Sequence, residues 1–161
     1  MKINSIRRLT ISSMVIAIYI VVLYITQGMS FGPYQIRIAT SLYALAYIFP
    51  FLVIPMGIAN LIANFLFGGL GWLDCLGGFG VGIITTMIIV GLKRRQMNLW
   101  WSLLPIVIVP AVCVSAWLAY VLHIPYTVLI CNLAVGQVIP AVVGCLLVQL
   151  LKRRLVLPVR K

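Results

Sequence analysis

Acidic residues are almost absent from this chain. Asp74 stands alone among 161 residues, against twelve Lys and Arg. The only histidine is His123. A catalytic site built on paired carboxylates or a metal set needs more than one Asp and one His far apart in sequence, so an integral membrane enzyme is disfavoured. A proton relay through apolar helices would need a series of acids, which counts against a secondary transporter. There is no Walker motif to cradle a nucleotide, so the chain has no means of hydrolysing ATP itself. The four cysteines, Cys75, Cys113, Cys131 and Cys145, form no CxxC pair and lie in or beside apolar stretches. They read as small buried hydrophobes and not as a metal framework. His123, beside Pro125 in a connection, reads as structural. No internal repeat or low-complexity segment is evident.

Apolar residues are what the chain has in abundance: 64% are hydrophobic, 8% are charged, and the mean hydropathy is +1.21. A soluble domain of this size needs far more polar surface. The composition indicates a single all-α integral membrane domain over residues 1–161, with no room for a second, soluble one. The net charge of +11 would suggest nucleic acid in a soluble protein. Here its placement argues against nucleic acid. Lys2, Arg7 and Arg8 precede the first apolar run, and Lys93, Arg94 and Arg95 separate two others. Lys152, Arg153, Arg154, Arg160 and Lys161 follow the last. By the positive-inside rule all three clusters face the cytoplasm of a cell membrane. The N-terminal run resembles a signal peptide, but it is long and no small-residue cleavage site follows, so a retained first helix is expected.

Charge parity sets the number of crossings. The stretch Ile38–Leu70 would be about 50 Å long as one helix, well beyond a hydrocarbon core of about 30 Å. Pro50 and Pro55 interrupt it near the middle. The first two basic clusters lie on the same side, so an even number of crossings separates them, and two short helices satisfy this. The expected helices are 9–26, 39–52, 56–69, 75–92, 99–122 and 126–151. Both termini and the Pro50–Pro55 turn are then cytoplasmic. The connections at 27–37, 68–74 and 123–125 lie outside.

Polar residues at membrane depth are costly unless they face protein, water or ligand. The candidates are Gln35, Arg37, Asn60, Asn64, Asp74, Asn132 and Gln137. Arg37, the only basic residue placed outside, and Asp74 either pair with each other or line a ligand pocket. Asn60 and Asn64 share one helix face. They serve an interhelical hydrogen bond or a ligand. Asn132 and Gln137 carry amides that suit either helix packing or an amide-like ligand. The outer connections are rich in Gly and aromatic residues: Gly28, Phe31, Gly32, Pro33 and Tyr34, then Gly68, Gly69, Gly71 and Trp72. They read as an interfacial belt or as a pocket cap with rings to stack on a planar ligand. Ser13 and Ala17 have small-xxx-small spacing, which lets another helix approach closely.

Three segments carry a resemblance. These are Phe31-Gly-Pro-Tyr-Gln-Ile-Arg37-Ile-Ala-Thr-Ser-Leu42, then Ile62-Ala-Asn-Phe-Leu-Phe-Gly-Gly69 with Leu73-Asp74, and Leu133-Ala-Val-Gly-Gln137. In register they resemble the queuosine-precursor transporter (QueT) family, whose members are substrate-binding S components of energy-coupling factor (ECF) transporters. The resemblance implies a six-transmembrane-helix bundle with an external pocket. It also implies a transmembrane coupling protein and two cytoplasmic ATPases as partners, with ATP used by those ATPases and no cofactor in this chain. It gives Ser13 and Ala17 the positions that dock on the coupling protein. The chain departs from the family motifs, which carry Glu where Thr40 and Gln137 stand here. The family's usual predicted ligand carries a cationic aminomethyl group, which acids would favour over these neutral groups. Queuine, another 7-deazapurine or a different planar solute remains compatible.

A 7-deazaguanine ring presents two parallel N–H donors along one edge, and an ionised carboxylate accepts both. Asp74 is therefore expected on that edge. Asn64, Asn132 and Gln137 would take the remaining polar atoms, Trp72 or Tyr34 would stack, and Arg37 would anchor the loop or contact the carbonyl oxygen, with Gln35 a further substrate-binding candidate. The rival readings are a stand-alone small-solute secondary transporter or channel and a structural subunit without a ligand.

Overall fold

The computed structural model describes residues 4–32, 34–68 and 71–156. Lys2, Pro33, Gly69, Arg160 and Lys161, singled out above, lie outside them. The described residues form α1 (Ser5–Ile25), a single-turn α2 (Gln27–Ser30), a 3-10 helix over Ile38–Tyr47, and a 3-10 turn at Pro50–Leu52. Helix α3 (Val53–Phe67) and α4 (Trp72–Arg94) follow, then a 3-10 turn at Leu99–Ser102, α5 (Leu103–Leu122) and α6 (Tyr126–Val156). Among the described residues five helices are long and apolar enough to cross a membrane: Ser5–Ile25, Pro50–Phe67, Trp72–Arg94, Leu99–Leu122 and Tyr126–Arg154. Their outward faces carry large apolar side chains such as Leu9, Ile54, Phe65, Met87, Ile108 and Leu150, as a lipid-facing surface requires.

The segment expected as an α-helix over 39–52 differs. Ile38–Tyr47 winds as a ten-residue 3-10 helix, and Pro50 then opens a separate 3-10 turn. A 3-10 run this long is unusual. Its rise of about 2.0 Å per residue stretches ten residues to about 20 Å, where an α-helix would reach about 15 Å. The extra reach lets a short segment run alongside much longer helices. All residues from Ala39 to Tyr47 are buried, enclosed by α1, α4, α5 and α6. With three residues per turn, side chains three apart stack in columns. One column is Arg37, Thr40 and Tyr43, and another is Ser41, Ala44 and Tyr47.

Glycines allow this enclosure. A Cβ on Gly136 of α6 would collide with the Tyr34 carbonyl oxygen, and one on Gly144 would collide with that of Ser41. Helices α3 and α4 meet as closely, since a Cβ on Gly82 would lie 2.9 Å from the Met56 carbonyl oxygen and 3.0 Å from Gly57 Cα. Close backbone approach of this kind is how helices associate in an apolar solvent.

The two ends of the bundle differ. At one end Arg8 lies 5.7 Å from the Phe51 ring centroid, Lys93 Nζ is 3.5 Å from the Ile48 carbonyl oxygen, and Lys152 Nζ is 4.2 Å from the Tyr47 ring centroid. One residue from each basic cluster thus sits at the same turn. At the other end the connections after α1, α3 and α5 surround a common cleft. Overpacking a tight core costs about 1–3 kcal/mol. Gly136→Val and Gly144→Val should therefore lower the thermal unfolding midpoint in detergent by several degrees. Gly80→Ala and Gly91→Ala, whose Cβ atoms would meet nothing within 4 Å, should leave it unchanged or raise it.

Candidate functional site

The cleft at the connection end has a volume of about 420 Å³ and is mostly apolar, with Leu118, Leu122, Leu129 and Leu133 in its walls. Phe31, Gly32, Gln35, Gly68 and Asn132 supply its ring, its openings and its polar groups. Gln35 and Leu133 also line a second, deeper cavity among Arg37, Thr40, Tyr43, Asn60, Asn64, Trp117 and Gln137. This inner cavity has free space of only about 10 Å³, roughly one water molecule. The two together form a funnel that narrows from an apolar mouth to a polar floor.

The 3-10 geometry builds that floor. Arg37, Thr40 and Tyr43, spaced by three, all face it. Arg37 Nη1 donates to Asn60 Oδ1 at 3.3 Å, and its guanidinium carbon sits 4.8 Å from the Phe31 ring centroid. Asn60 Nδ2 donates to Tyr43 Oη at 2.7 Å and to the Gly78 carbonyl at 2.8 Å. The Tyr43 hydroxyl lies 3.5 Å from that of Tyr19 on α1, and the two rings stack. Thr40 Oγ1 donates to Gln137 Oε1 at 2.8 Å, and Gln137 Nε2 donates to the Gln35 carbonyl at 3.3 Å. Gln35 holds a left-handed φ of 45°, a conformation that costs a non-glycine residue energy and that the surrounding contacts must enforce. Its carbonyl bond to Gln137 and its amide bond to the Gly32 carbonyl, 3.0 Å, do so.

Asp74 sits in the first turn of α4, where the helix dipole favours an anion. It is 2% exposed. One carboxylate oxygen accepts from Trp117 Nε1 at 3.2 Å, and Asn64 Nδ2 donates to the Asp74 carbonyl at 2.9 Å. Gly77 leaves room for the indole, since a Cβ there would lie 2.8 Å from Trp117. The other carboxylate oxygen, Oδ2, has no hydrogen-bond partner. A Cβ on Gly68 would lie 2.6 Å from it. Gly68 lines the cleft, so the carboxylate lies directly behind the cleft wall, in space that a side chain at residue 68 would take. Arg37 and Asp74 take separate partners and form no pair with each other. Arg37 Nε, Asn64 Oδ1 and Asp74 Oδ2 are buried and unpartnered, which is costly for each group until something fills it.

Of the residues expected at the site, Gln35, Arg37, Asn64 and Gln137 line the inner cavity, and Asn132 is half-buried in the outer cleft. Asp74 backs onto both through Gly68 and Trp117. Tyr34 lines neither cavity, and Trp72 lines a separate one of about 260 Å³ with Asn64, Phe65, Gly71 and Cys75. Trp72 begins α4, is 72% exposed and packs on Phe65, 6.0 Å between ring centroids. Tyr34 is 54% exposed, while its carbonyl oxygen faces Gly136. The aromatic rings in the cavity walls are Phe31, Tyr43 and Trp117. Tyr43 and Trp117 were not singled out from the sequence. Tyr43 follows Arg37 and Thr40 at the 3-10 period and would have been found by it, but an α-helical reading conceals that period. Nothing in the sequence around Trp117 points to Asp74. His123 is the left-handed cap of α5, φ 53°, and among the described residues no cluster of metal-ligating side chains occurs.

No curated protein and no solved structure matches the chain. A model of the QueT transporter family matches residues 9–153, nearly the whole length. With five helices among the described residues long and apolar enough to span a bilayer, the chain is a multi-pass membrane protein that belongs to the QueT transporter family.

Proposed function

We infer that this chain is the substrate-binding S component of an ATP-driven ECF importer and that it takes up a queuosine precursor or a related 7-deazapurine. The observation that carries this reading is the pair of buried, opposite charges that do not meet. Arg37 needs an acceptor, and Asp74 needs a donor. A guanine-like edge supplies both, with its N–H groups toward Asp74 past Gly68 and its carbonyl oxygen toward Arg37. Phe31 gives the flat ring a face, and Asn132 and Gln35 take polar atoms at the cleft. Thr40 and Gln137 at the floor are already hydrogen-bonded to each other and carry no charge, so they supply no counter-ion for a cationic substituent.

Membership of a transporter family supports a role in binding and transport. ATP hydrolysis is assigned to two partner ATPases, coupled through a transmembrane partner. Ser13 and Ala17 suit that contact. Both are exposed, on the helix whose most apolar stretch is only 17% buried, against 39–44% for the other four spans. The 3-10 segment is taken as a sixth crossing. Six crossings keep all the basic clusters and both termini in the cytoplasm.

Three measurements test this reading. Calorimetry on the purified chain should show binding of queuine or another 7-deazaguanine base. Asp74→Asn and Arg37→Gln should each weaken it about tenfold or more, as loss of a charge-assisted hydrogen bond does. Unchanged affinity in both variants would overturn the site. In vesicles, uptake should require the coupling protein, both ATPases and ATP, and uptake by this chain alone would establish the secondary-transporter reading instead. A fluorescent reporter that folds only in the cytoplasm should light up when fused to either terminus.

A further inference from the structure

The basic end of the bundle holds two lysines that differ from the rest of the positive charge. Lys93, in the last turn of α4, and Lys152, near the end of α6, are both half-buried, whereas Arg94, Arg95, Arg153 and Arg154 are exposed. Their ammonium groups are held over neighbouring residues of one turn. Lys93 Nζ lies 3.5 Å from the Ile48 carbonyl oxygen, and Lys152 Nζ lies 4.2 Å from the Tyr47 ring centroid. A carbonyl and a ring face are weak partners for a partly desolvated cation. The chain's single acidic side chain cannot help. Asp74 is in the first turn of α4 and Lys93 in its last, about 28 Å apart at 1.5 Å per residue.

The depth of this pair indicates what anion completes it. The Tyr47 hydroxyl donates to the Met97 carbonyl at 2.6 Å. Trp100 and Trp101, a few residues on, are 41% and 50% exposed. Exposed tryptophans at a helix start mark the headgroup level of a bilayer. The two ammonium groups therefore sit where lipid phosphates sit, between an apolar lateral surface and water. We propose that Lys93 and Lys152, seated on Tyr47 and Ile48, form a binding site for the phosphodiester of one anionic phospholipid. This site is at the opposite end of the bundle from the ligand cleft and does not depend on the transport assignment. The exposed arginines attract the anionic leaflet diffusely, and the lysine pair holds one headgroup in place.

Native mass spectrometry of delipidated protein, titrated with phosphatidylglycerol or phosphatidylcholine in mixed micelles, tests this. One phosphatidylglycerol should stay bound and should raise thermal stability, while phosphatidylcholine and inorganic phosphate should do neither. Lys93→Gln and Lys152→Gln should each reduce retained phosphatidylglycerol about fivefold, the contribution of one surface cation. Lys93→Arg should retain it, and Arg95→Gln and Arg154→Gln should change it less than twofold. The proposal fails if all four glutamine variants lose lipid equally, which would mean diffuse attraction. It also fails if inorganic phosphate stabilises as well as the lipid, or if phosphatidylcholine is retained equally.

Discussion

Everything at the candidate site depends on enclosing one short apolar segment on all sides. Ile38–Tyr47 is too short to run beside the long helices as an α-helix, and it gains length by winding as a 3-10 helix. That winding imposes a three-residue period, and the period brings Arg37, Thr40 and Tyr43 onto one inner wall. Gly136 and Gly144 let α6 press against the segment's backbone, so Gln137 reaches Thr40 and the Gln35 carbonyl. Without those glycines the floor of the funnel would open and its hydrogen bonds would lengthen.

Burial gives the two charges at the site their weight. In a low-dielectric interior an unfilled valence on a guanidinium or carboxylate is far more costly than on a surface. Arg37 is partly satisfied by Asn60 and by the face of Phe31. Asp74 is partly satisfied by Trp117 and by its place at a helix N-terminus. Neither is complete, and the two do not pair. A neutral planar molecule with donors and an acceptor at the right spacing would complete both without adding net charge. The hydroxyl pair Tyr43–Tyr19 continues the polar chain to α1, so the floor of the funnel touches the least-covered helix of the bundle.

Much of this was legible from residue types. The apolar runs, the single acid and the three basic clusters gave the membrane class and the two-ended organisation, and the structure gathers Arg8, Lys93 and Lys152 around one turn as the charge pattern required. Gln35, Arg37, Asn64, Asp74, Asn132 and Gln137 stood out because a polar group in an apolar helix needs a reason. The aromatic residues did not sort themselves in this way. Trp72 and Tyr34 looked suited to stacking, yet both residues are largely exposed. Aromatic side chains are at home at a lipid interface as well as in a pocket, so composition does not separate the two.

The sequence by itself determined that the chain lives in a bilayer, that its charge is divided between one basic end and one nearly neutral end, and which polar residues needed explaining. These follow from the cost of placing charge in hydrocarbon, which depends on residue type and spacing alone. Tertiary structure decided that residues 38–47 are 3-10 and not α, that Arg37 and Asp74 stay apart, and that Trp117 and Gly68 stand between Asp74 and the cavities. Those outcomes rest on how closely helices distant in sequence approach one another. That closeness is set at Gly68, Gly77, Gly136 and Gly144 by the absence of a side chain, whose effect appears only when the neighbouring helix is in place.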